Sequence, residues 1–103
     1  MLMQTVRHSV QVAGELRDLI PRFLANRRVE VEQLRDAVAR DDLEAARRIG
    51  HTLKGVGGGY GFDEISRIGG AIERSVRAGG HDLAALTGEL ADYLDSVEIT
   101  FTP

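Results

Sequence analysis

The 103-residue sequence has no Cys, no Trp and two Pro, and only one of its thirteen basic residues is Lys, at position 54. The missing thiols exclude a disulfide framework, a Cys nucleophile and a thiolate metal centre. No apolar run approaches the ~18 residues of a membrane span, and the stretch from Met1 to Val12 lacks the apolar core of a secretory signal. The chain therefore reads as soluble and cytoplasmic. A net charge of −3 argues against a dedicated nucleic-acid binder. That charge is uneven: residues 1–40 carry +2, residues 41–62 balance, and residues 63–103 carry −5. A codon-biased, GC-rich genome accounts for scarce Lys by itself, so the lone Lys54 only directs attention.

Glycine is in excess. The chain has 12, and six of them fall within residues 50–61, where ordinary proteins average ~7 per cent overall. The length suits one domain that buries about 60–70 per cent of the surface its unfolded chain exposes.

Hydrophobic spacing is helical nearly throughout. Residues 1–12 are a mixed stretch that reads as extended or frayed, and residues 13–103 read as the folded domain. A short helical segment from Ala13, with Leu16, Leu19 and Ile20, runs into Pro21, which suits the first position of a longer helix. That helix spans Pro21 to Arg40, with Phe23, Leu24, Val31, Leu34 and Val38 on one stripe. Asp41 and Asp42 end it and cap the next. The third segment runs from Leu43 to about Tyr60, with Ala46, Ile49, Leu53, Val56 and Tyr60 recurring at three and four. After a Gly61-Phe62 turn, Asp63 caps a helix carrying Ile65, Ile68, Ile72 and Val76. Gly79 and Gly80 stop it. Asp82 caps the last helix, with Leu83, Leu86, Leu90, Leu94, Val97 and Phe101 inward. Short links point to an all-α fold: an antiparallel up-down four-helix bundle with a short extra N-terminal helix.

A bundle hosts many activities, so function must come from its surface. At about 100° per residue, with Leu43 at zero, the apolar stripe of the third segment centres near 260° and His51 falls near 80°. His51 should stand in solvent in the middle of a helix. Glu44, Arg47, Arg48, Lys54, Gly55 and Gly58 share its face. A helix-interior Gly costs up to about 1 kcal/mol relative to Ala, yet Gly55 and Gly58 lie one and two turns beyond His51 and leave the imidazole protruding. Lys54, three residues on, reaches a group attached to the ring; Arg47 lies one turn back. An exposed His ringed by cations is a poor metal site and a reasonable phosphoryl carrier. An isolated surface His, a solvated run of cations and a flexible glycine turn are the plain alternatives. His8, His51 and His81 are scattered, so no metal site is expected. The glycine run lacks both a preceding strand and the Gly-x-x-x-x-Gly-Lys-Ser/Thr spacing of a nucleotide loop.

The segment His51-Thr52-Leu53-Lys54-Gly55, followed by small residues and Gly61-Phe62, resembles the histidine-containing phosphotransfer (HPt) domain of bacterial phosphorelays. The approach Leu43-Glu44-Ala45-Ala46-Arg47-Arg48-Ile49-Gly50, the stretch Ile68 to Glu73 and the leucine-rich last helix follow the same pattern over about residues 15 to 100. Gly50 departs from it, since the family often has Ala there, and should loosen the helix. The glycine-rich stretch is also similar to the phosphotransfer domain of chemotaxis kinases, which leaves the donor type open.

The resemblance implies a phosphocarrier rather than an enzyme. His51 would accept a phosphoryl group on Nε2 from a receiver-domain phospho-Asp or a histidine kinase and pass it to a receiver Asp. The nucleophile would be the neutral imidazole. Lys54 would stabilise the phosphohistidine, and Glu73, on the following helix, is the candidate to accept from Nδ1–H and fix the tautomer. A boundary Glu that is solvated or paired with an Arg is the plain alternative. Arg47, Arg48, Gly55 and Gly58 would meet the docking partner. No cofactor is expected on this chain, because the Mg²⁺ belongs to the partner receiver domain. The partners implied are response-regulator receiver domains or a histidine kinase, with no nucleic acid and no membrane, and the protein a monomer. A reading from another class is a bundle that binds a receiver or other signalling protein without carrying phosphate. It predicts equal binding by wild type and His51→Gln, and transfer to neither.

Overall fold

The computed structural model describes residues 8–103. Four helices dominate: α1 (Ile20–Ala39), α2 (Leu43–Gly59), α3 (Asp63–Arg77) and α4 (Leu83–Ser96). Their bounds lie within a residue or two of those expected, apart from the last. Two strands frame them, β1 (Ser9–Ala13) and β2 (Glu98–Thr102), paired in parallel with Ser9 opposite Glu98 and Ala13 opposite Thr102.

The strands correct the all-α expectation. The last helix does not extend to Phe101; it stops at Ser96, and Val97 is already extended. The reason lies in Ile99-Thr100-Phe101-Thr102, a β-branched and aromatic run that alternates inward and outward along β2. Of the stretch expected to be extended or frayed, residues 9–12 belong to β1, where Val12 is buried; residues 1–7 lie outside the described residues. The short extra helix is a 3₁₀ coil, Gly14–Leu19. The few residues between β1 and Pro21 suffice for that tight coil but not for a separate α-helix.

The core follows the predicted stripes. Phe23, Val31 and Leu34 of α1 meet Ala46 and Leu53 of α2, Ile65, Ile68 and Ile72 of α3, and Leu83, Leu90 and Leu94 of α4, all buried. Phe62, expected only as part of a turn, is fully buried and stacks on Phe23 with ring centroids 5.1 Å apart. It occupies the N-cap position of α3 with no side-chain cap bond, so Asp63 is the first helical residue instead. There Asp63 and Glu64 still complement the positive end of the helix. Asp42 caps α2 as expected, its Oδ1 accepting from the Ala45 N–H at 3.0 Å. Asp82 stands at the N-cap of α4 without a side-chain bond. Gly79 and Gly80 close α3 in left-handed backbone (φ 108° and 82°), and the Gly80 N–H returns to the Ser75 carbonyl at 2.7 Å.

Helices α2 and α3 approach each other over glycine. A Cβ on Gly50 would lie 2.7 Å from Ile72 Cγ2, and one on Gly57 would lie 2.6 Å from both the N and Oγ of Ser66. On the facing side, a Cβ on Gly69 would lie 2.6 Å from the Gly50 carbonyl and closer still to the Lys54 nitrogen. Gly50, expected to loosen the helix, is buried and brings α3 against it. This intimate crossing holds the two helices that bear the candidate site in fixed relation.

Candidate functional site

Helix α2 carries His51 at its middle, beside the glycine crossing, with 73 % of its side chain exposed. Outward placement follows from the wheel, because the buried positions of α2 are Ala46, Gly50, Leu53 and Gly57. The ring is nonetheless held on one side. Its Nδ1 lies 3.3 Å from Glu73 Oε2 on α3. Glu73 sits at the edge of the apolar face of α3, and its side chain is only 11 % exposed. A carboxylate can only accept, so the proton in this contact belongs to Nδ1. The lone pair is then on Nε2, the other ring nitrogen.

Lys54 completes the group. Its Nζ lies 3.9 Å from Glu73 Oε1, an oxygen that is buried and makes no hydrogen bond. One carboxylate thus faces both the imidazole and the ammonium, one through each oxygen. Hydrogen-bonding geometry ends near 3.5 Å, so the Lys54 contact is charge attraction without a fixed bond. The Lys54 side chain is 60 % exposed.

The structure brings the remaining expected residues onto this face with unequal prominence. Arg47 grips Glu44 with two hydrogen bonds, 3.0 Å from Nε and 2.7 Å from Nη2. That pairing lowers the Glu44 pKa and raises that of Arg47. Its charge is therefore already matched, although the field of Glu73 also reaches it. Arg48 is exposed, and its carbonyl accepts from the Thr52 hydroxyl at 3.1 Å. Gly55 is exposed, and a Cβ there would touch nothing within 4 Å; the same holds for Gly59. Gly58 is exposed too, but its N–H donates to Ser66 Oγ at 2.8 Å.

Sequence reasoning missed Ser66. Its hydroxyl also donates to the Lys54 carbonyl at 2.9 Å, so one side chain of α3 bridges the Lys54 C=O and the Gly58 N–H. These two groups are four residues apart, the spacing of one helical hydrogen bond. The bridge fixes the turn that presents Lys54 and Gly55. It depends on Gly57, whose missing side chain lets Ser66 come this close. Sequence spacing alone carries no sign of such a contact, because it joins positions on two helices.

The surface around His51 is open. A cavity of about 640 Å³ lies elsewhere, between α3 and α4, lined by Glu64, Glu89 and Tyr93 among others. Among the described residues, no three His, Asp or Glu side chains gather as a metal site would require. Also among them, no helix is long and apolar enough to cross a membrane. What the arrangement offers is a solvent-facing imidazole nitrogen, its partner nitrogen facing a carboxylate, and an exposed cation one turn along.

Comparison with curated proteins and with solved structures returns no match. A family model for the Hpt domain matches residues 9–99, from the first strand into the second. That span contains all four helices and every residue of the site. Hpt domains serve phosphotransfer in two-component signalling as phosphocarriers, not as catalytic enzymes in themselves. This chain belongs to the Hpt domain family.

Proposed function

We propose that this protein is a phosphorelay intermediate in which His51 takes a phosphoryl group on Nε2 and hands it to a receiver Asp. The observation that carries the reading is the pairing of His51 Nδ1 with the nearly buried Glu73 carboxylate while most of the ring is exposed. In the forward step the Nε2 lone pair attacks the phosphorus of a receiver's acyl phosphate. The N–P bond forms, the P–O bond to the Asp breaks, and the Asp leaves as a carboxylate. The ring, still protonated at Nδ1, now bears positive charge, which Glu73 offsets. Lys54 turns from Glu73 toward the phosphoryl oxygens. Reversal of the same steps onto a second receiver completes the relay. A histidine kinase is the other donor this surface accommodates, and the Mg²⁺ that such transfer uses resides in the partner.

The docking surface in this reading is the face of α2 around Arg47, Arg48, Gly55 and Gly58, in the cytoplasm where receivers and kinases operate. An antiparallel up-down order of the helices suits it. In support, Gly50 of α2 faces Ile72 while Gly57 faces Ser66, so the two helices run in opposite senses. The test is incubation with a phosphorylated receiver. The wild type should acquire an acid-labile, alkali-stable phosphate and His51→Gln none. Equal labelling of that variant would refute the assignment.

A further inference from the structure

Helix α3 places one more cation beside the site. Gly70 is buried although it lies on the flank of α3, because two long side chains cover it. A Cβ at Gly70 would meet Arg74 Nη1 at 3.3 Å and Lys54 Cδ at 3.8 Å. Arg74 therefore folds back one turn along its own helix, Lys54 reaches across from α2, and both lie on the same bare patch. The Arg74 guanidinium and the aliphatic stem of Lys54 thus cover Gly70 from two helices.

Two neighbouring arginines are committed elsewhere. Arg47 is paired with Glu44, and Arg67 is held between Glu64 and Glu89. Among the described residues Arg74 makes no ion pair and no side-chain hydrogen bond. Its sequence neighbour Glu73 faces His51 with one oxygen and Lys54 with the other. The patch thus holds two cations and one carboxylate before any phosphate arrives, an imbalance that a dianion would reverse.

We propose that Arg74 is a second phosphoryl-binding residue, closing on the group at His51 from α3 while Lys54 closes from α2. The proposal rests on the reading of His51 as phosphoacceptor. The two cations differ in what they bring. Lys54 is a point charge, whereas a guanidinium offers two parallel N–H donors to phosphate oxygens. Gly70 is the floor that lets both lie low.

The experiment uses phosphoramidate, a small donor with no docking surface, so that local chemistry is separated from partner recognition. Labelling rate at His51 and phosphohistidine lifetime are measured for wild type, Arg74→Ala, Arg74→Lys, Lys54→Ala and the Arg74→Ala/Lys54→Ala pair, with circular dichroism to verify the fold. Arg74→Ala should slow labelling about fivefold, the scale of one exposed charge acting over a few ångströms of water. Arg74→Lys should recover part of that loss, and the Arg74→Ala defect should shrink as salt is raised toward 1 M, where the screening length falls to about 3 Å. The paired substitutions should depart from the product of the single ones by costing more, because each cation alone partly covers for the loss of the other. A simple product would show that the two do not share the group and overturn the joint closure. A folded Arg74→Ala protein that labels and decays like wild type overturns the role of Arg74 alone. Failure of the wild type to label at His51 instead overturns the phosphocarrier reading, and the proposal with it.

Discussion

Gly69→Ala tests the α2–α3 crossing on which the site depends. The added methyl would lie 2.6 Å from the Gly50 carbonyl, 2.8 Å from Leu53 Cβ and nearer still to the Lys54 nitrogen. Two of these three neighbours are backbone atoms inside a helix, so no rotamer change relieves them. Helix α2 has to retreat as a body by most of an ångström to restore ordinary contact. Overpacking of this kind costs about 1–3 kcal/mol, and the separation also weakens the packing of Leu53 and Ile72, both fully buried. Against this, Ala in place of Gly favours a helix interior by up to about 1 kcal/mol. The net expectation is a loss of about 1–2 kcal/mol, which lowers the melting temperature by about 4–8 °C for each kcal/mol in a domain of this size. Gly55→Ala is the control, since a methyl there touches nothing within 4 Å. It should gain about 0.5–1 kcal/mol from propensity alone. Urea titration and thermal melts of the two variants beside wild type measure both signs. A Gly69→Ala protein as stable as wild type would show that the crossing is not close-packed. The folded fraction of Gly69→Ala should also label more slowly, because a retreating α2 draws His51 away from Glu73.

Three other expectations follow from single contacts. Glu73→Gln keeps the size of the side chain but loses the charge that offsets the phosphorylated ring; labelling of His51 should fall about tenfold, and an unchanged rate would remove Glu73 from the site. Asp42→Ala deletes the acceptor for the Ala45 N–H and should cost about 1 kcal/mol in urea titration. Burial, with Glu64 and Asp63 nearby, pushes the Tyr93 hydroxyl up to about 12 from 10.0. The folded protein then keeps a proton that the unfolded chain releases, so stability should decline as pH rises from about 10 to about 12. Tyr93→Phe should remove that part of the decline. At neutral pH it should be neutral or stabilising, since the hydroxyl is buried without a hydrogen bond.

Much of this architecture was legible in the sequence because helices are local. Ile65, Ile68 and Ile72 announce their face by spacing alone, and Asp42 marks the start of α2 by its short acceptor side chain. His51 was placed outward by angle, since its distance from the apolar stripe is a property of one helix. Glu73 follows from the resemblance and its place on the next helix, whereas its contact with His51 depends on the separation of two helices. The strands were hidden for a related reason. Five residues of β1 find their partners 89 positions along the chain, and no local period reports such a pairing. Gly50, Gly57 and Gly69 were harder still, because a missing side chain leaves the hydrophobic pattern blank where the backbones come closest. The same blank at Gly70 hides the fold of Arg74 back over that glycine.

The parallel pairing of β1 with β2 determines how the domain bears tension. Ser9 lies opposite Glu98 and Ala13 opposite Thr102, so the chain enters at one end of the ladder and leaves at the other. A pull outward at residues 9 and 102 therefore slides the strands past each other instead of peeling them apart. The ladder bonds are slanted but evenly spaced in such a pair, and under sliding they share the load together, where unzipping would break them one by one. The strand pair acts as a shear clamp across the ends of the helical bundle, and force delivered through either end meets it before it reaches the helices that hold His51 and Glu73.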